Sequence, residues 1–146
     1  MAGKLYGVGV GPGDPELLTL KAVRLIRENE VIALPGEDPK ETVAYKISVQ
    51  AVPELADKTL LALAMPMTKD KKILQENYDR AADRVAEILD QGKNVVFLTL
   101  GDPTVYSTYM YVHQRLEAKG YPVAIVSGIT SFCAVAARMN MSLVER

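Results

Sequence analysis

Leu5-Tyr-Gly-Val-Gly-Val-Gly-Pro-Gly-Asp-Pro15 decides the fold of this chain. Its first part, Leu5 to Val10, is a β-branched and aromatic run of the kind that forms a strand. Gly11-Pro-Gly-Asp-Pro15 must then be a loop, because glycine and proline alternate there and break any regular element. A 3.6-residue period follows at once, from about Leu17 to Asn29. It sets Leu17, Leu20, Val23 and Ile26 on one face and Lys21, Arg24, Arg27 and Glu28 elsewhere, with Thr19 as the expected N-cap. Strand, glycine loop and helix in that order open an α/β unit.

The same alternation continues outward. Val31–Leu34 reads as a second strand closed by Pro35-Gly36, and a polar loop over Glu37–Glu41 leads to a short helix around Thr42–Val49. Leu60–Ala64 is the third strand. The longest helix is expected over Lys71–Asp90, with Ile73, Leu74, Ala81, Val85, Ile88 and Leu89 as its apolar stripe and Gly92 closing it. Val95–Leu100 is nearly continuous in apolar residues, which suits a strand buried on both faces. Gly101-Asp-Pro103, a helix over Val105–Ala118, a strand over Val123–Val126, the loop Ser127-Gly-Ile-Thr130 and a helix over Ser131–Met139 complete the chain. The fold class is therefore α/β, with about five mostly parallel strands and flanking helices. In such sheets ligands sit outside the C-terminal strand ends, so the loops at 11–15, 101–103 and 127–130 should share one rim.

With 146 residues the chain fits one domain. A protein of this mass exposes roughly 7,400 Å² when folded, against about 23,000 Å² unfolded, so a core can form without disulfides or metals. Seventeen Lys/Arg against eighteen Asp/Glu give a net charge of −1, and no basic excess points to nucleic acid. One cysteine, Cys133, forbids an internal disulfide, and with a single histidine it leaves no ligand set for a structural zinc. No signal peptide or membrane-spanning stretch is expected, which points to the cytoplasm.

The glycines at 7, 9, 11 and 13 do not make a dinucleotide fingerprint. Counting from Gly7, the third glycine would fall on Pro12; counting from Gly9, it would fall on Asp14. No Walker A loop is present either. Asp14 and Asp102 each precede a proline, where turn formation competes with a ligand role; an acidic rim beside close-approach glycines suits an ammonium or a ribose diol. Thr130 and Ser131 are candidates both for capping the last helix and for offering hydroxyls and N–H groups to a ligand. His113 is expected to be a surface or packing residue, and Cys133 a buried and inert thiol. Lys69, Lys71 and Lys72 read as a solvated helix start, with the mouth of a site for an anionic substrate as the alternative. Tyr106, Tyr109 and Tyr111 bring aromatic mass beside the Asp102 loop.

Gly9-Val-Gly-Pro-Gly-Asp-Pro15 with Leu18-Thr19, Gly101-Asp-Pro103 with Tyr106-Ser-Thr108, and Gly128-Ile-Thr-Ser131 together resemble the tetrapyrrole (corrin/porphyrin) methylase family in order and spacing across the whole chain. Within it, Met65-Pro-Met-Thr-Lys-Asp70, Phe97-Leu-Thr-Leu-Gly-Asp-Pro103 and Tyr106-Ser-Thr108 are similar to the branch acting at C20 of precorrin-2 or cobalt-factor II, in cobalamin biosynthesis.

The resemblance implies a first α/β domain (residues 1–146) of a two-domain methylase, with S-adenosylmethionine bound between the domains and S-adenosylhomocysteine as product. Carried over by motif, the cofactor contacts fall on Pro12, Leu100, Gly101, Asp102, Val105, Thr130 and Ser131. It also implies a tetrapyrrole substrate, no metal and a homodimer. No catalytic base is assigned, because the end of the second strand reads Ala33-Leu-Pro-Gly36 where some relatives carry an aspartate. Ser127 stands where the family usually has proline, so a looser turn is expected there. The second domain is missing from these residues, and the chain alone is expected to be inactive. Two rival readings remain: a family relative with an rRNA or diphthamide-precursor acceptor, and a non-catalytic packing or dimerisation unit.

Overall fold

A computed structural model describes residues 1–145 of the chain. Five strands alternate with five α-helices: β1 Leu5–Gly9, α1 Leu20–Glu28, β2 Val31–Pro35, α2 Val43–Ala51, β3 Thr59–Leu63, α3 Lys71–Asp90, β4 Val95–Thr99, α4 Tyr109–Ala118, β5 Val123–Val126 and α5 Ser131–Arg138. The strands lie in the order β3-β2-β4-β1-β5, and every pairing is parallel. Leu5 stands level with Val95 on one side and Val123 on the other.

The order explains the layers. From β1 to β2 to β3 the chain moves one way across the sheet; from β3 to β4 to β5 it moves back. Right-handed crossovers must then put α1 and α2 on one face and α3 and α4 on the other. The cores agree. Val8, Ile32, Leu34, Val96 and Leu98 meet Ala22, Leu25, Ile26 and Ile47 on the first face. Leu5, Ala33, Val95 and Phe97 meet Val85, Leu89, Tyr109 and Leu116 on the second. All five residues of β4 are buried, as a central parallel strand requires. Each fully buried Leu or Ile contributes roughly 1.5–3 kcal/mol relative to exposure.

Thr19 caps α1 as expected, and α3 has a cap that the sequence pattern did not single out. Thr19 Oγ1 accepts from Ala22 N at 3.0 Å. Asp70 caps α3 by accepting from Lys72 N at 2.9 Å and Ile73 N at 3.3 Å. Four expectations differ from the structure. In α1 the buried residues are Ala22, Leu25 and Ile26, while Leu20 is 90% exposed because it points to nearly the opposite side of the helix. In α3 the core face runs through Tyr78, Ala81, Ala82, Val85 and Leu89, and Ile73 is exposed because it points away from that face. α4 starts at Tyr109 rather than Val105, since 105–108 is held as a turn by side-chain bonds described below. α5 buries none of its residues, so Cys133 is exposed rather than buried. Among the described residues, no helix is long and apolar enough to cross a membrane.

Candidate functional site

The reversal of direction falls between β1 and β4, which are neighbours whose following segments leave toward opposite faces. This switch point opens a crevice at the C-terminal end of the sheet. Two glycine loops meet across it. Gly101 N donates to Gly11 O at 2.8 Å, and Gly11 N donates to Gly101 O at 3.2 Å. Both glycines are left-handed, at φ +67° and +80°, a conformation that costs an L side chain about 1–2 kcal/mol. The loop after β5 closes on the same spot, because a Cβ on Gly9 or on Gly128 would collide with the Gly101 carbonyl oxygen. Three backbones thus touch where the sequence puts three glycines.

Asp102 locks this arrangement. Its Oδ1 accepts from Thr104 N at 2.8 Å and Thr104 Oγ1 at 2.7 Å. Its Oδ2 accepts from Ser127 Oγ at 2.6 Å and Gly128 N at 2.9 Å. Burial acts to raise the carboxyl's pKa, but these hydroxyl and N–H donors outweigh it and hold the value down at about 2. The carboxylate is a charged brace between two loops, and its four acceptor positions are already used. The hydroxyl or ammonium acceptor expected of Asp102 is therefore not free on this side chain. Ser127 likewise ties the turn it was expected to loosen.

Pro12, Leu100, Gly101, Asp102, Val105, Thr130 and Ser131, the seven residues singled out by motif, all line one cleft of about 410 Å³ at this crevice. Thr99, Tyr106, Ser107, Thr108 and Phe132 line it too. Sequence reasoning gave these five no role at the site, although Tyr106-Ser-Thr108 was part of the motif that points to the family. Thr130 occupies the N-cap position of α5, yet its side chain caps nothing. Its Oγ1 is buried with no hydrogen-bond partner, which leaves one unsatisfied polar atom in the wall of the cleft. Asp14 takes the turn role, accepting from Glu16 N at 2.9 Å. It borders a wider opening of about 1030 Å³ between the 12–15 loop and α5, which Cys133 and Val135 also line.

The three tyrosines separate. Tyr109 is fully buried, fills the space over Gly7 and bonds through its hydroxyl to His113 Nδ1 at 2.8 Å. Burial, followed by the charge of Glu117, pushes the Tyr109 phenol well above its ordinary value. Tyr111 stacks on Tyr78 with ring centroids 4.5 Å apart and planes 7° from parallel, on the α3–α4 side. Only Tyr106 stays at the cleft.

A model of the Tetrapyrrole (Corrin/Porphyrin) Methylases matches residues 4–146. "Probable cobalt-precorrin-2 C(20)-methyltransferase" of Methanocaldococcus jannaschii is 41% identical over 144 residues, covering 97% of this chain and 60% of the relative. Cobalt-precorrin-2 C(20)-methyltransferase of Salmonella typhimurium is 32% identical, covering 100% and 61%. The chain thus spans about three-fifths of the length of these relatives. Among solved structures, uroporphyrin-III C-methyl transferase of Thermus thermophilus in complex with S-adenosyl homocysteine superposes with a TM-score of 0.66 at 30% identity, over 99% of this chain and 54% of that one.

Proposed function

The chain belongs to the tetrapyrrole methylase family, and on that footing we propose that its protein transfers a methyl group from S-adenosylmethionine to C20 of precorrin-2 or its cobalt form, in cobalamin biosynthesis. In this reading residues 1–146 are the N-terminal domain and supply one half of the cofactor site, a second domain supplies the other, and the protein works as a cytoplasmic homodimer. One observation carries the reading: all seven residues named by motif converge on a single cleft at the switch point, walled by the bridged loops of Gly11 and Gly101. The C20 assignment is supported by two relatives of that name, at 41% and 32% identity.

The residues fit such a ligand. Glycines at 9, 101 and 128 bring the main chain close, and Thr130 Oγ1 offers a hydroxyl that nothing else uses. Bound there, S-adenosylmethionine would supply an activated methyl group on a sulfonium centre. The protein's part in such a transfer is to align two centres and exclude water, which calls for rigid walls rather than a catalytic triad. Asp102 provides the rigidity by tying the 101–104 loop to the 127–128 loop. Pro12, Leu100 and Val105 provide apolar lining.

Calorimetric titration with S-adenosylhomocysteine tests this reading. Wild type is expected to give saturable heat. Thr130→Val keeps the side-chain shape and removes only an unpartnered hydroxyl. It should therefore bind about three- to tenfold more weakly, with an unchanged thermal midpoint. Saturable binding of equal strength in the variant removes Thr130 from the site. No binding to the folded wild type removes the half-site.

A further inference from the structure

Tyr106 is held in a conformation that its residue type disfavours. Its φ is +51°, in the left-handed region, where a bulky aromatic residue pays a steric penalty that glycine avoids. Its ring gains nothing in return from the described residues, for the side chain is 105% exposed. Among the described residues, the only other non-glycine with positive φ is Asn140, a type that tolerates this region, just past the end of α5.

The surroundings enforce the strain. On one side Val105 N donates to Asp102 O at 3.1 Å, and Thr104 is fastened to the Asp102 carboxylate. On the other, the Ser107 hydroxyl pairs with Thr99 Oγ1 at 3.0 Å and accepts from Tyr109 N at 3.2 Å. Tyr106 is the one residue between these two anchors, and it lies on the lining of the cleft. Strain that neighbours over-determine, at an exposed aromatic residue beside a cleft, is what a preorganised ligand contact looks like. Unlike Tyr109 and Tyr111, this ring has no stacking partner among the described residues.

We propose that Tyr106 is a ligand-contact residue, its ring fixed at the cleft as a plate on which a flat heteroaromatic face stacks. The inference rests on the reading under Proposed function, which offers two such faces: the cofactor's purine and the pyrrolic macrocycle. The strained backbone is set in folding, and the exposed ring leaves only two side-chain torsions for a ligand to order, a modest cost.

Three variants and two probes test it. S-adenosylhomocysteine, titrated calorimetrically, reports the purine; uroporphyrin, followed by its own fluorescence, reports a flat tetrapyrrole. Tyr106→Gly is expected to raise the thermal midpoint by about 2–5 °C, since the strain disappears, while one probe binds roughly five- to tenfold more weakly. Tyr106→Ala should lose the same affinity without the gain in stability, and Tyr106→Phe should keep wild-type binding. The probe that weakens identifies the face. If Tyr106→Gly binds every probe that wild type binds, and equally well, this proposal fails and the cofactor-site reading stands. If folded wild type binds neither probe, both fail together.

Discussion

Asp102 shows how much one side chain can organise here. It is buried and charged, a combination that is stable only when every lone pair is satisfied, and Thr104, Ser127 and Gly128 supply that satisfaction. The consequence for pH has a definite sign. The folded carboxyl sits at about 2, below the ordinary 3.8, so the folded state favours the ionised form. Its contribution to stability, of order 1–2 kcal/mol, is fully present above the unfolded value near 4 and fades as pH falls through the folded value near 2. Asp102→Asn cannot reproduce this, because an amide NH₂ cannot accept from both Ser127 and Gly128. Urea unfolding of wild type and variant across pH 2–6 should therefore show a stability gap that is widest at the upper end and closes toward pH 2. A gap independent of pH would mean that the carboxylate's charge does no stabilising there.

Individual elements tell how far residue patterns reach. Val95–Thr99 was legible because a continuous apolar run flanked by glycine loops has few other solutions, and α3 was legible because its helical pattern runs on until Gly92 closes it. Faces were harder. Leu20 and Ile73 were counted into the apolar stripes but lie on the sides of α1 and α3 turned away from the sheet, because a short apolar pattern leaves the phase of the buried face open. The true start of α4 was hidden for another reason: Ser107 bonds Thr99 and Tyr109 N, a tertiary choice that overrides the helical pattern of 105–108. At the site, the converging glycines were visible, whereas the Ser127–Asp102 bond was not, since it joins residues 25 apart. The glycine contact yields an element-level prediction. In Gly128→Ala the new methyl meets the Gly101 carbonyl and the Gly9 backbone, neither of which can swing aside as a side chain would. A loss of about 2–4 kcal/mol in chemical unfolding is expected; alanine at Gly13 meets no neighbour, and its cost comes only from the backbone, at φ +152°. The φ of Gly128 lies outside the left-handed region, so a loss under about 0.5 kcal/mol would show that the loops part freely and that close approach does not dictate glycine there.

At the scale of the whole molecule, the telling feature is the exposed apolar surface around α5. The chain exposes 8514 Å², more than the roughly 7,400 Å² usual for its mass. Phe132, Val135 and Met139 on and beside α5, followed by Met141, Leu143 and Val144, are all at least half exposed. Contiguous apolar surface of this kind drives association, and a net charge of −1 gives little repulsion to oppose it. Sedimentation of the chain is therefore expected to show a weight-average mass that rises with concentration. Val135→Glu with Met139→Glu should bring that mass back toward the monomer, while stability changes by no more than about 0.5 kcal/mol because neither side chain is buried. The pair also separates this surface from the cleft, as neither residue lines the opening walled by Asp102 and Thr130. Restored monomer with unchanged S-adenosylhomocysteine binding would assign the apolar face to association and the crevice to the ligand; binding lost along with association would mean that the two surfaces work as one.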